Sequence, residues 1–253
     1  MMLKIHFFFA SLESGEAAGL FSLWHLIFLL AFILILAIAL FAARKITDSG
    51  LERLLWLAAI SVSICEVIKI VWRITSGASV DTWIPLYYCS LFIYAIWMTR
   101  IRIQWISRMG YSFITMGGIM AACLFTLYPT TSLGIYPALH PASIHSLLYH
   151  ILMAFVGMLV LIKNRYTPRL RDAWLYGAFV VLACVIGFFI NERFGSNCMF
   201  LHNAFGLPIL DPILKNAYPV YVLLVVFGQA SVMFFVNFGL YTLIKNIKES
   251  KNR

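Results

Sequence analysis

Charge is scarce in this sequence: only 11% of its 253 residues are Asp, Glu, Lys or Arg. With 62% hydrophobic residues and a mean hydropathy of +0.91, that scarcity excludes a soluble globular domain. Dense basic charge is missing too. The net charge of +9 is spread over short loops between apolar stretches, and no run is compact enough to grip a nucleic acid. The cysteines Cys65, Cys89, Cys123, Cys184 and Cys198 form no CxxC pair, so they mark neither a zinc site nor a disulfide framework. Four of the five lie inside apolar runs, where a thiol ordinarily serves as a small packing residue. No low-complexity segment, linker or transporter-type internal repeat divides the chain.

What is present is a series of apolar stretches of membrane-spanning length, which makes the chain an all-α polytopic membrane protein. Seven transmembrane helices are expected, over about 21–43, 54–75, 83–99, 109–127, 143–162, 173–190 and 219–244. Residues 1–20 read as an interfacial segment, because Glu13 and Glu16 stand where a cleaved signal would carry small residues. Residues 21–245 form the transmembrane domain, and 246–253 a basic tail. Fourteen lysines and arginines fall in loops 1–2, 3–4 and 5–6 and in the tail, against three on the other side. The positive-inside rule then places the N-terminus outside and the C-terminus in the cytoplasm.

On this topology the polar residues gather in the outer half, leaving the inner half nearly pure hydrocarbon. The third stretch opens with Trp83-Ile84-Pro85-Leu86-Tyr87-Tyr88-Cys89-Ser90. Two tyrosines, a thiol and a hydroxyl there offer polar atoms to something other than lipid. At 1.5 Å per residue Cys89 lies about 9 Å below Trp83, and His150 about 11 Å below Ser143. Taken singly, Cys89 reads as a packing thiol and His150 as an interhelical hydrogen-bond partner. Taken together, at similar depth on two descending helices, they form a candidate nucleophile and base. A thiol needs a nearby imidazole to become a thiolate, and its depth in lipid makes acyl chains the natural substrate.

Glu66, Lys69 and Arg73 are spaced i, i+3, i+7 and share one helical face, which should point into the bundle. Two readings stay open for them. Glu66 and Lys69 form a self-compensating pair with Arg73 snorkelling to the headgroups, or the three form an anion site for a headgroup phosphate or carboxylate. Asn197 lies on the loop after the sixth span, and Gln229, Ser231 and Asn237 read as interhelical hydrogen-bonding residues. No cofactor is indicated. A metal site of His145, His150 and His202 lacks the carboxylate partners expected of one.

Leu20-Phe21-Ser22 with His25, Pro85-Leu86-Tyr87-Tyr88-Cys89, the run from Ser146 to His150, and the run from Gly195 to Leu201 resemble the YwaF family of bacterial integral membrane proteins. The resemblance extends over about residues 15–245 and is most specific at Pro85 to Cys89 and Asn197 to Leu201. That family is similar to a eukaryotic transmembrane acyltransferase that remodels ether phospholipids, and more remotely to serpentine lipid hydrolases of the androgen-induced family. It implies a catalytic cysteine in the third-helix motif and a downstream histidine, here Cys89 and His150, in the cytoplasmic membrane of a bacterium. Cys198 departs from the family pattern, standing where tyrosine is common.

The expected function is therefore a membrane-lipid acyltransferase or acyl hydrolase working in an outward-facing intramembrane cavity on a phospholipid or acyl-chain substrate. Cys89 is the expected nucleophile and His150 its base. Lys69 and Arg73 clamp the headgroup, Glu66 and Tyr87 complete the substrate-binding set, and Asn197 donates to an oxyanion or headgroup. The alternative is a non-catalytic binding or transport protein for a small anionic or lipid solute. A seven-helix sensor fits less well, since the loops are short and no signalling module follows.

Overall fold

The computed structural model describes residues 16–75, 77, 83–204, 207 and 209–251. Most of the interfacial segment expected over 1–20 lies outside the described residues. In chain order the helices are α1 (Leu23–Ala42), α2 (Asp48–Thr75), α3 (Leu91–Met98), α4 (Gln104–Leu127), α5 (Pro141–Ile162), α6 (Asp172–Phe194), α7 (Leu210–Asn216) and α8 (Tyr218–Lys251). Six of these, all but α3 and α7, are long and apolar enough to cross a membrane. The protein is a multi-pass integral membrane protein, an all-α bundle.

Its helices turn the usual pattern of a soluble bundle inside out. In α1 the residues facing the protein are His25, Phe28, Phe32 and Leu36, one stripe at helical spacing. The exposed face carries Leu30, Leu34 and Ile38, which lipid can cover. In α2 the buried stripe is Leu51, Leu55, Ala58, Ala59, Val62 and Glu66, so the carboxylate points inward.

The third apolar stretch departs from expectation. Only Leu91–Met98 is α-helical, about 12 Å of rise, and residues 83–90 run as turns. Pro85 lacks an N–H and pushes Ile84 out of the helical region, so no helix starts there. The carbonyl of Leu86 accepts instead from the backbone N–H of Met199 at 3.0 Å. Leu86, Tyr88 and Ser90 are buried, the condition under which irregular backbone persists at membrane depth.

The segment that Leu86 meets is itself strained. Met199 and Phe200 have φ of 54° and 59°, conformations that cost on the order of 1–3 kcal/mol each unless held. They are held. The Asn191 amide donates to the Cys198 carbonyl at 3.0 Å and accepts from the Cys198 N–H at 2.6 Å. Gln229 donates to the Met199 carbonyl at 2.9 Å, and the Tyr221 hydroxyl to the Phe200 carbonyl at 2.6 Å.

Two π-helical turns, Phe113–Gly118 in α4 and Gly228–Val232 in α8, bring these pieces together. A π turn disrupts the regular carbonyl ladder and needs outside partners. Asn237 donates to the carbonyls of Thr115 and Met116 at 2.8 and 3.0 Å, and the Tyr176 hydroxyl to the carbonyl of Gln229 at 2.8 Å. Gly117 is required here: a Cβ would lie 2.7 Å from the Tyr88 hydroxyl oxygen and 2.9 Å from the Tyr176 ring.

The bundle has two chemically distinct ends. At the basic end Glu52 pairs with Arg100 and, at 2.5 Å, with Arg165, while Lys163 Nζ donates to the Arg44 carbonyl at 2.8 Å. Arg108 and Asp172 pair there at 2.6 Å with Asp172 buried, so an ion network ties the basic loops together. At the opposite end Ala18 and Gly19 donate to the carbonyls of Tyr136 and Leu133 at 3.1 and 2.9 Å. The His25 Nε2 sits 2.9 Å from the Thr126 carbonyl at that end. Helix α8 continues to Lys251, so residues 246–251 are helical.

Candidate functional site

Tyr149 on α5 is the residue around which the opposite-end polar groups assemble. Its hydroxyl donates to the backbone carbonyl of Cys89 at 3.0 Å, and its ring meets Phe92 of α3 edge-on at 6.1 Å. The third stretch and α5 are thus in contact. The rings of His145 and His150 lie 6.0 and 5.6 Å from that of Tyr149. His145 is also within electrostatic reach of Lys69 and Glu66.

His150 is buried and held in one orientation. It stacks flat on Phe125, with centroids 3.7 Å apart and planes inclined by 6°, and its Nδ1 lies 2.7 Å from the Ser146 carbonyl. A carbonyl can only accept, so Nδ1 carries the proton and Nε2 presents a lone pair. Nε2 is buried and has no hydrogen-bond partner among the described residues. An unpartnered basic nitrogen inside the bundle is what a general base offers before substrate arrives.

Cys89 is a free thiol, half-buried and packed on the core. Among the described residues no hydrogen bond joins its sulfur to His150. Tyr149 touches both the Cys89 backbone and the His150 ring, but among the described residues no contact sets thiol against imidazole.

The α2 residues divide into two tasks. Glu66 and Lys69 pair at 2.7 Å, Glu66 being buried and Lys69 partly exposed. Arg73 reaches past them, donating to the Tyr136 hydroxyl at 2.9 Å. Burial raises the pKa of that hydroxyl, and the adjacent guanidinium works against the rise. Tyr87 packs its ring against Phe200 at 5.6 Å, joining the strained segment to the turn before Cys89. Asn197 is turned into its own loop: Nδ2 donates to the Asn203 carbonyl at 3.1 Å, and Oδ1 accepts from the N–H groups of His202 and Asn203 at 2.8 and 2.9 Å. His202 pairs with Glu192 at 3.3 Å. Among the described residues no group of His, Cys, Asp and Glu side chains is placed to hold a metal ion.

Tyr149, Phe125 and Asn191 are the parts that sequence reasoning missed. Tyr149 adjoins His150, yet a tyrosine in an apolar run carries no mark of what its hydroxyl will bind. Phe125 acts through His150 on the next helix, which spacing does not reveal, and Asn191 through the irregular loop that follows its own helix.

Residues 20–241 match the model of the TMEM164 family. The chain belongs to the TMEM164 family. This corrects the resemblance to the YwaF family, which the match does not support. That resemblance rested on runs of a few residues in a strongly apolar chain, too short to separate membrane families. The match to the TMEM164 family carries no statement of acyl transfer and lends that expectation no support. No curated protein and no solved structure matches the chain.

Proposed function

We propose that this TMEM164-family chain acts on the acyl ester of a membrane lipid through a thioester on Cys89, with His150 as the base. The observation that carries the reading is the His150 ring: its tautomer is set by Ser146, and its free Nε2 is buried one residue from the tyrosine that holds the Cys89 carbonyl. Hydrogen bonds of catalytic groups commonly tighten only when substrate is bound, so the open thiol–imidazole gap is compatible with the role.

The sequence of bonds is simple. His150 Nε2 takes the Cys89 thiol proton, the sulfur attacks the ester carbonyl, and the carbon–oxygen bond breaks. The departing alkoxide takes the proton from His150. Water or a lipid hydroxyl then attacks the thioester, giving its proton to Nε2. The carbon–sulfur bond breaks, and the thiolate recovers the proton.

The placement in the membrane belongs to the same proposal. Glu52, near the start of α2, pairs with Arg100, so the chain leaving α2 at the far end returns to the basic end through the stretch containing α3. That return makes seven crossings, the third only partly helical. The excess of basic residues at the Glu52 end favours a cytoplasmic position for that end and an outside N-terminus. Cys89 then faces the outer half of the membrane.

The missing thiol–imidazole contact favours a second reading, a non-catalytic protein that binds or carries a small anionic or lipid solute beside the Glu66–Lys69 pair. One experiment separates them. The purified full-length protein is incubated with a long-chain p-nitrophenyl ester, and hydroxylamine-labile acylation is mapped. Acylation at Cys89 that disappears in Cys89→Ala supports the enzyme. Labelling retained in that variant, or intact lipid together with solute uptake that depends on Glu66, supports the carrier.

A further inference from the structure

A cavity of about 430 Å³ opens at the basic end, between the start of α4 and the loop joining α5 to α6. Its lining includes Arg102, Arg108, Arg165 and Arg169, and no carboxylate. Tyr111 and Tyr166 stack in its floor, 5.8 Å apart and 13° from parallel. In the sequence these arginines register only as topology markers.

The arginines differ in what already holds them. Arg108 is fixed by both oxygens of buried Asp172, through Nε at 2.6 Å and Nη2 at 2.7 Å. The Tyr166 hydroxyl donates to the same carboxylate at 2.7 Å, and burial together with Asp172 raises its pKa, keeping the floor neutral. Arg165 pairs with Glu52, which also holds Arg100. The side chains of Arg102 and Arg169 make no hydrogen bond or ion pair among the described residues. Counting Asp48, which lies within electrostatic reach of Arg165, five arginines stand against three carboxylates, and the two unpaired arginines border the cavity.

Converging guanidinium groups suit a phosphate, whose oxygens accept forked N–H pairs. The cavity volume lies in the range of small-ligand sites and exceeds what bare phosphate fills, leaving room for an attached polar group. The level in the membrane agrees. Trp105 and Trp174, beside the cavity in the first turns of α4 and α6, are 57% and 84% exposed, as interfacial aromatics are. We propose that this arginine-lined cavity is a binding site for a phosphate-bearing anion at the headgroup level of the basic-end leaflet. It stands apart from the Cys89 region and does not depend on its chemistry.

The test uses the full-length protein in nonionic detergent, titrated with dioctanoyl phosphatidylglycerol and, separately, with inorganic phosphate. Replacing Arg102→Gln and Arg169→Gln should weaken lipid binding about fivefold each, about 25-fold together, with the fold intact because neither side chain carries a structural contact. The tail substitutions Lys245→Gln and Lys248→Gln should leave it unchanged. If inorganic phosphate displaces the lipid, the site reads phosphate from any source; if it does not, the site reads a lipid headgroup. Equal binding by the double arginine variant, equal loss in the tail variant, or no binding of either probe by the wild type overturns the proposal.

Discussion

The Tyr149 hydroxyl donates to the backbone carbonyl of Cys89 across 3.0 Å, pinning α5 to the irregular turn that carries the thiol. That carbonyl lies just before α3, and Tyr149 ties it to the long helix bearing His150. A turn at membrane depth has few alternatives to such a partner, because lipid supplies none.

Tyr149→Phe keeps the ring against Phe92 and removes only the donor. We expect a loss of about 1 kcal/mol in detergent unfolding, the usual net value of one hydrogen bond. Acylation of Cys89 should slow as well, since the turn is less well held. Unchanged unfolding and unchanged labelling together would show that the bond fixes nothing.

His150→Ala removes the free Nε2 and the stacked partner of Phe125 at once. On the base reading the rate of Cys89 acylation should fall about 10²- to 10⁴-fold. Phe125→Leu removes the stacked ring but keeps the imidazole and its Ser146 bond, so it should loosen the fold and slow acylation far less than His150→Ala does. An acylation rate in His150→Ala equal to that of the wild type ends the role of His150 as base.

The class of fold was legible in the sequence because the membrane imposes a one-dimensional rule: long apolar runs, and basic residues at one end. The third apolar stretch was not legible as a mostly non-helical segment. Hydropathy averages over the stretch, while the break depends on one proline and on Met199 arriving from more than a hundred residues away. The Glu66–Lys69 pair was legible because its spacing is local. Arg108 and Asp172 were not, since each looked like an ordinary loop or helix-start charge until the fold brought them together.

That pair makes a sharp contrast with a surface one. Asp172 is 1% exposed and accepts from Arg108, the Tyr166 hydroxyl and the Arg169 N–H. Asp172→Ala should destabilise the protein by about 3–5 kcal/mol, because it strands a partly buried guanidinium and two further donors. Glu249→Ala, which breaks an exposed pair with Lys245, should change stability by about 0–1 kcal/mol. Unfolding of both variants under one condition checks the ordering, and equal losses contradict it.

The π turn in α4 gives the last prediction. Asn237 on α8 reaches the carbonyls of Thr115 and Met116, both inside that turn and fully buried. Asn237→Leu fills similar volume but takes away both donors, and stranding buried acceptors costs about 1–3 kcal/mol each. The chain has one way to recover part of this: α4 can straighten toward α-helical spacing. Straightening shifts Gly117 against Tyr88 and Tyr176, where no Cβ fits even now. Asn237→Leu should therefore lower stability and also change the environment of Tyr88, read by its ring NMR resonances. A variant that loses stability while those resonances stay fixed would mean that the turn keeps its shape without Asn237, and that Gly117 and its two tyrosines hold it.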